Sequence, residues 1–385
     1  MIPYGRQEIT AADIEAVVEV LKSDFLTQGP AVPAFERAVA ARTGAQHALA
    51  VNSATSALHI ACMALGLKPG DWLWTSPITF LASANCALYC GAQVDFVDID
   101  PRTYNMSPVA LERKLERAER EGKLPRVVVP VHLAGQPCEM KAIRALSERY
   151  GFSVIEDASH AIGGSYDGEP IGNCRYSDIT VFSFHPVKII TTAEGGMAVT
   201  NDARLASEMS MFRSHGMTRD PAQMTHEPDG PWYYQQVRLG YNYRMTELQA
   251  ALGLAQIERL EQYVARRHVL AKRYDALLAP LAVVTPWQAP ESYSGLHLYV
   301  IRLRPEGKQS HRAVFEALRA AGIGVNLHYI PVHTQPYYRA MGFDDGDFPE
   351  AERYYREAIS LPMYATLTEA DQDRVVAALR QALAA

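Results

Sequence analysis

The chain has 385 residues, 48% of them hydrophobic and 21% charged, with a formal net charge of -6, a balance that suits an ordinary globular protein large enough for two domains. Its apolar runs stop well short of the ~20 residues needed to cross a bilayer, and its start carries no basic region ahead of an apolar core, so the expectation is a cytoplasmic protein without a membrane partner. A mild negative charge with no basic cluster argues against nucleic acid as a partner.

In chain order, residues 12–21 read as a helix with Ile14, Val17, Val18 and Leu21 on one face. Short β-branched runs follow at 47–51, 72–75, 94–97, 126–131, 153–155, 179–184 and 197–200, with helical patterns between them such as 139–150. Seven strands alternating with helices imply an α/β fold built on a mainly parallel seven-stranded sheet covered on both faces. A helical pattern without proline runs from 245 to 278 and leads into a mixed α/β region, with a strand at 296–303, a helix at 310–321 and a closing helix at 368–383 capped near Thr366 or Thr368. The expected division is a large domain over residues 1–250 and an interdomain helix with a smaller C-terminal α/β domain over 251–385. The five cysteines are odd in number and lie mostly in apolar segments; Cys86 and Cys90 share a helical face but not a zinc spacing, which favours buried free thiols.

Lys188 carries the chemistry. Only eight of the 37 basic residues are lysines, and the other seven fall on predicted helical faces or polar turns. Lys188 instead follows the apolar stretch 180–184 and a proline turn, and precedes Thr191-Thr192-Ala193-Glu194-Gly195-Gly196. An amine held there loses hydration, its charged form is disfavoured, and it becomes a nucleophile able to form a Schiff base with an aldehyde. A single such lysine is also what a surface loop offers; its neighbours decide. Residues 153–160 read as a short buried strand ending in Glu156-Asp157, and in open α/β sheets ligands lie outside the carboxyl ends of strands, where Asp157, Ser183 and Lys188 converge. Paired with a pyridine nitrogen, Asp157 keeps that nitrogen protonated and lets the ring act as an electron sink, which is pyridoxal phosphate chemistry. Asn52 to His59 follows the first core strand and opens a helix, so its free N–H groups, with the hydroxyls of Thr55 and Ser56, suit a phosphate; any helix start also favours such residues.

Ser53-Ala54-Thr55-Ser56-Ala57-Leu58, Glu156-Asp157-Ala158-Ser159-His160-Ala161, Ser183-Phe184-His185 through Lys188, and Gly240-Tyr241-Asn242-Tyr243-Arg244 resemble, in order, the motifs of the DegT/DnrJ/EryC/StrS sugar-nucleotide aminotransferases. The resemblance runs from Pro3-Tyr4-Gly5-Arg6 through Leu26-Thr27-Gln28-Gly29 to Ser360-Leu361-Pro362. It implies fold type I and pyridoxal 5'-phosphate as cofactor. It also implies that Lys188 is the catalytic lysine, carrying the cofactor and moving protons. Asp157 would pair with the pyridine nitrogen, Phe80 stack on the ring, and His160 lie near its phenolic oxygen, where many relatives have glutamine. Ala54, Thr55 and Ser183 would hold the phosphate. Asn242 would reach the phosphate of the neighbouring subunit of a homodimer with a shared active site. Without the resemblance, Phe80 reads as core packing and Asn242 as a turn residue.

For the sugar nucleotide the resemblance implies Tyr4, Leu26, Thr27, Ala54, Ser183, Asn242 and the segment Leu327, His328, Tyr329 and Ile330. His328 and His333 lack the accompanying ligand spacing of a metal site, and no metal is expected. Arg213 and His215 are open between anion contacts and plain surface polarity. Within the family the chain looks most like the members serving pseudaminic acid synthesis. The implied reaction is ping-pong transfer of an amino group from L-glutamate to C4 of a UDP-linked 4-keto-6-deoxy-N-acetylhexosamine, UDP-2-acetamido-2,6-dideoxy-beta-L-arabino-hex-4-ulose. Another UDP-, dTDP- or GDP-linked keto sugar is the alternative, and a cofactor-binding regulator without turnover a remote one.

Overall fold

Two helices open the chain, α1 (Ala11–Lys22) and α2 (Ala31–Thr43), in a computed structural model that describes residues 1–304, 307 and 309–384. Thr10 caps α1, its hydroxyl accepting from the Asp13 N–H while the Asp13 carboxylate accepts from the Thr10 N–H. The helix lies where the periodicity predicts, but its apolar stripe faces outward: Ile14 and Leu21 are each 57% exposed, and Asp13 is buried. An ion pair turns it that way. Arg259 Nη2 stands 2.7 Å from Asp13 Oδ2, and Gln256 donates to the same oxygen at 3.1 Å, because a buried carboxylate needs partners.

The strands and helices then alternate: β1 (His47–Val51), α3 (Ala54–Ala64), β2 (Trp72–Thr75), α4 (Ala82–Tyr89), β3 (Gln93–Phe96), α5 (Pro108–Glu121), β4 (Val127–Val129), α6 (Met140–Tyr150) and β5 (Ser153–Asp157). A small hairpin, β6 (Ser165–Tyr166) and β7 (Glu169–Pro170), precedes β8 (Ile179–Ser183) and β9 (Gly196–Thr200). The main sheet has seven strands in the order β1-β9-β8-β5-β4-β2-β3. β9 is antiparallel to both neighbours and the other pairs are parallel. The seven predicted strands are these seven, with ends shifted by one or two residues.

Alternation along each strand divides the core between the two faces of the sheet. Val127, Val129, Ile155, Val181 and Ala198 pack on the α3 and α4 side, while Val128, Val154, Phe182, Met197 and Val199 pack on the other. The same alternation sends Asp157 and its neighbour Glu156 to opposite faces. Since β1, β5 and β8 all run in one direction, their carboxyl ends share an edge, and that edge carries Asn52, Asp157 and Ser183.

After β9 come α7 (Ala203–Phe212) and a short ribbon of β10 (Met217–Thr218) and β11 (Gln235–Gln236). The single helix expected over 245–278 is two, α8 (Glu247–Ile257) and α9 (Leu260–Leu278), because the backbone leaves helical geometry at Arg259 (φ -105, ψ 5). That break delivers its guanidinium to both oxygens of Asp13. The remainder is β12 (Val283–Val284), β13 (Ser292–Tyr293), β14 (Tyr299–Leu303), α10 (His311–Ala320), α11 (Pro336–Arg339), α12 (Pro349–Glu357), β15 (Ala358–Leu361) and α13 (Glu369–Ala384), the last capped by Thr368. β14 is shorter than the 296–303 read from the sequence. Leu296 has a left-handed backbone (φ 48), and its N–H donates to Ser294 Oγ, so residues before Tyr299 turn instead of extending. A third core joins α9, α10, α13 and the sheet β12-β14-β15, and Ile2 from the start of the chain packs into it.

Candidate active site

A cavity of about 560 Å³ opens over the shared carboxyl edge of β1, β5 and β8. Lys188 enters it from the turn after β8, where the Lys188 N–H donates to His185 O. Burial lowers the pKa of its amine to about 8, and the Asp157 carboxylate opposes that fall without cancelling it. Near neutral pH a useful fraction of a nucleophilic amine is therefore present. Lys114 is the instructive contrast. It too is partly buried although it lies on a helical face, and burial lowers its pKa, but its ammonium is held by Asp95 and Phe96 O, each at 2.6 Å. Lys188 has no such partner among the described residues.

Asp157 is fixed on three sides. Ser83 Oγ donates to Oδ2 at 2.6 Å, while Ser159 donates to Oδ1 through its N–H at 3.1 Å and its hydroxyl at 2.6 Å. Thr79 Oγ1 lies 2.7 Å from Ser83 Oγ and extends the chain of hydroxyls. Donors on both oxygens hold the carboxylate in one direction. Across the sheet, burial pushes the Glu156 pKa up, yet hydrogen bonds from His132 (2.8 Å), Ser177 and Thr180 outweigh it and hold the carboxyl below its usual range.

The N-terminus of α3 forms one wall. Ser53 caps it by accepting from Ser56 N–H at 3.1 Å, and Ala54 and Thr55 line the cavity at the first turn, where N–H groups have no helical acceptor. Ser56 Oγ donates to Asn52 Oδ1 at 2.6 Å and is buried, so its hydroxyl is spent within the helix start and does not serve the cavity as expected. Gly196 lies directly behind: a Cβ there would stand 2.5 Å from Ala54 N and from the Ser53 carbonyl group. Ser183 completes this wall.

Aromatic and imidazole groups close the opposite side. Phe80 is 59% exposed with its ring in the cavity lining, so it is not a core residue. Tyr4 packs on His328 with ring centroids 5.2 Å apart. His160, His297 and His328 all face the Lys188 side, and burial followed by the Lys188 charge drives His160 far below the usual histidine pKa and His328 to about 3. His297, buried against His160 at 4.5 Å, is held low by burial and by His160. The three rings are neutral at physiological pH.

The DegT/DnrJ/EryC1/StrS aminotransferase family matches residues 7–380. The chain belongs to that family. Over 383 residues, 98% of this chain and 96% of the other, it is 39% identical to the spore coat polysaccharide biosynthesis protein SpsC of Bacillus subtilis. It superposes on Helicobacter pylori PseC, an aminotransferase involved in the biosynthesis of pseudoaminic acid, with a TM-score of 0.91 and 30% identity, covering 100% of this chain and 99% of that one. Streptococcus pneumoniae Spr1654 in its PLP form matches with a TM-score of 0.89 and 28% identity over 100% of this chain and 98% of that one. As a DegT-family protein the chain is a pyridoxal phosphate-dependent sugar aminotransferase, and its seven-stranded sheet is that of fold type I. The donor set suits the cofactor: a free amine, a fixed carboxylate, and a helix start onto which Gly196 allows the chain to close.

Of the residues inferred from sequence, Tyr4, Ala54, Thr55, Phe80, Asp157, His160, Ser183, Lys188, Leu327, His328 and Tyr329 line the one cavity. Leu26, Thr27, Asn242 and Ile330 do not line it within the single chain; Leu26 and Ile330 are 50% and 47% exposed. The Asn242 side chain is exposed, while its carbonyl accepts from Asn52 next to α3. Arg213 does not line this cavity; it pairs with Glu36 and donates to Ala50 O at 2.8 Å. His215 lies outside the cavity and turns the chain with a left-handed backbone. Sequence reasoning missed Ser83, Thr79 and His297. Ser83 sits three residues beyond Phe80 on α4, and nothing in its local pattern points to a carboxylate 74 residues away.

Proposed function

We propose that this sugar aminotransferase transfers an amino group from L-glutamate to C4 of a UDP-linked 4-keto-6-deoxy-N-acetylhexosamine in pseudaminic acid synthesis. The observation that carries the substrate is the likeness to Helicobacter pylori PseC over the full chain. In this reading Lys188 is the catalytic residue, with Asp157, Phe80, His160, Ala54, Thr55 and Ser183 around the cofactor. Tyr4, Ala54, Ser183 and residues 327–330 meet the sugar nucleotide. Leu26 and Thr27 also meet the sugar nucleotide, and Asn242 reaches the phosphate across a homodimer interface, a reading supported by their exposure and by the outward apolar side chains of Ile14, Leu21 and Phe25. Residues 1–250 and 251–385 are taken as the two domains, and the enzyme as cytoplasmic; among the described residues no helix is long and apolar enough to cross a membrane.

Bound pyridoxal phosphate supplies an electron sink for the carbon that gives or receives nitrogen. The chain's own residues do the rest. Lys188 would hold the cofactor through its amine, and an amine with a pKa near the working pH suits carrying a proton to or from the reacting carbon. Asp157 would pair with the ring nitrogen, and Phe80 would lie against the ring. The walls built by α3 and by residues 326–329 exclude water from the reacting centre.

SpsC favours a second reading, a different keto sugar destined for a surface polysaccharide. Incubation of the purified enzyme with glutamate and a panel of UDP-, dTDP- and GDP-linked keto sugars decides. Mass-spectrometric detection of an amino sugar from the UDP 4-keto-6-deoxy-N-acetylhexosamine is expected, and product from a dTDP or GDP sugar alone would overturn the pseudaminic reading.

A further inference from the structure

The proton on His160 is placed by the backbone beside it. Ala134 N–H points at His160 Nδ1 at 3.2 Å. An amide N–H can only donate, so Nδ1 presents its lone pair and the single proton of the neutral ring is on Nε2. The Ala134 donor is held rigidly. Ala134 has a left-handed backbone (φ 58), and Gly135 follows with φ +103, where a Cβ would strike Leu296 N at 2.6 Å and His160 O at 2.8 Å. The loop, His160 and the turn carrying His297 are thus packed backbone to backbone.

His160 Nε2 lies 3.1 Å from the hydroxyl of Tyr329. With the proton on Nε2, the ring donates and the phenol accepts. Tyr329 is kept protonated by burial, and among the described residues its own O–H has no protein acceptor. What remains is a phenol in the cavity, oriented from behind, with a proton to give. Tyr329 shares that cavity with Lys188, the amine that acts at the reacting carbon. With one lone pair taken by His160, whose ring also feels the Lys188 charge, the hydroxyl is left a proton to donate, and the ketone is the sugar oxygen bonded to the carbon that Lys188 must reach.

We propose that Tyr329 donates a hydrogen bond to the carbonyl oxygen of the keto sugar, polarising that bond and setting the sugar's orientation, and that His160 is the positioning residue that aims it. The contact is a hydrogen bond only, with no proton transferred from Tyr329. This inference rests on the keto-sugar reading above.

The test is binding, not turnover. The holoenzyme in its pyridoxal form, which has no amino group to transfer, is titrated calorimetrically with the UDP-linked 4-keto sugar and with the same nucleotide bearing CH2 at that carbon. Wild type should favour the ketone by about tenfold, and Tyr329→Phe should reduce the preference to less than about twofold. His160→Gln, which keeps an N–H donor, should retain the preference, and His160→Leu should lose it. A tenfold preference surviving in Tyr329→Phe overturns the proposal. So does a changed pH midpoint of the bound cofactor's visible band in that variant with the preference intact, which would put the donor on the cofactor. If wild type binds both nucleotides equally, the proposal falls while sugar-nucleotide recognition stands; if it binds neither, the functional reading falls with it. Nitrogen NMR of histidine-labelled protein gives an independent check: His160 protonated at Nε2 supports the arrangement, and protonation at Nδ1 overturns it.

Discussion

Ser83 donates its hydroxyl to Asp157 Oδ2 at 2.6 Å from a helix that packs on β2 and β3, linking the start of α4 to the end of β5. With Ser159 holding the other oxygen, the carboxylate cannot rotate away from the cavity. Ser83→Ala should therefore weaken retention of pyridoxal phosphate by about tenfold, the scale of one hydrogen bond to a charged acceptor. Asp157→Asn, which removes the charge, should cost far more. Equilibrium dialysis of the cofactor against both variants checks the order; equal retention by Ser83→Ala and wild type would show that Ser159 alone suffices.

Lys188 makes a pH prediction. Its protonated form does not attack an aldehyde, and its pKa is about 8 in the folded protein. Capture of added pyridoxal phosphate by cofactor-free enzyme should speed up about tenfold per pH unit below that value and level off above it. Stopped-flow absorbance from about pH 6 to 9 reads the profile, and Lys188→Ala should form no covalent adduct at any pH. A midpoint near the ordinary lysine value would mean that the amine is hydrated before the cofactor arrives.

Gly196 tests the phosphate wall separately from the chemistry. Its absent Cβ is what allows β9 to approach the backbone of Ser53 and Ala54. Gly196→Ala should push the start of α3 away and destabilise the protein by about 1–3 kcal/mol, as overpacking does. Urea unfolding and cofactor affinity should both suffer, whereas Gly151→Ala, with nothing within 4 Å but a left-handed backbone, should affect stability alone.

Glu156 should govern part of the acid sensitivity. Its folded pKa lies below the ordinary glutamate value of 4.5, since hydrogen bonds from His132, Ser177 and Thr180 outweigh the burial that would raise it. A depressed carboxyl pKa contributes stability that is present above the unfolded value and is lost as pH falls through the folded one. Glu156→Gln should thus flatten the stability profile from about pH 4.5 downward while lowering stability at neutral pH. Denaturant titrations across that range measure it, and an unchanged acid limb would place the sensitivity elsewhere.

His132 belongs to the same prediction: its Nδ1 accepts from Cys138 N–H at 3.0 Å, which leaves its Nε2 proton for Glu156. His132→Ala would leave the buried carboxylate short of a donor and should cost about 1–3 kcal/mol, visible in the same unfolding experiment.

Much of this protein was legible in its chain because the signals are local. Alternating β-branched runs and helical periods give the seven-stranded sheet, since burial on both faces leaves the same apolar mark wherever it occurs. Lys188, Asp157 and the Ser53 helix start were legible because each ends or follows a strand, and parallel strands deliver their carboxyl ends to one edge. What no local pattern carries is the outcome of a long-range pairing. The outward face of α1 depends on Arg259, 246 residues from Asp13; the break between α8 and α9 depends on the same contact. Whether Phe80 packs in the core or lines the cavity, whether Ser56 meets a ligand or Asn52, and which ring nitrogen of His160 bears its proton were all decided by neighbours brought in from elsewhere in the fold, because hydrogen bonds and ion pairs act over a few ångströms of space and take no account of distance along the chain.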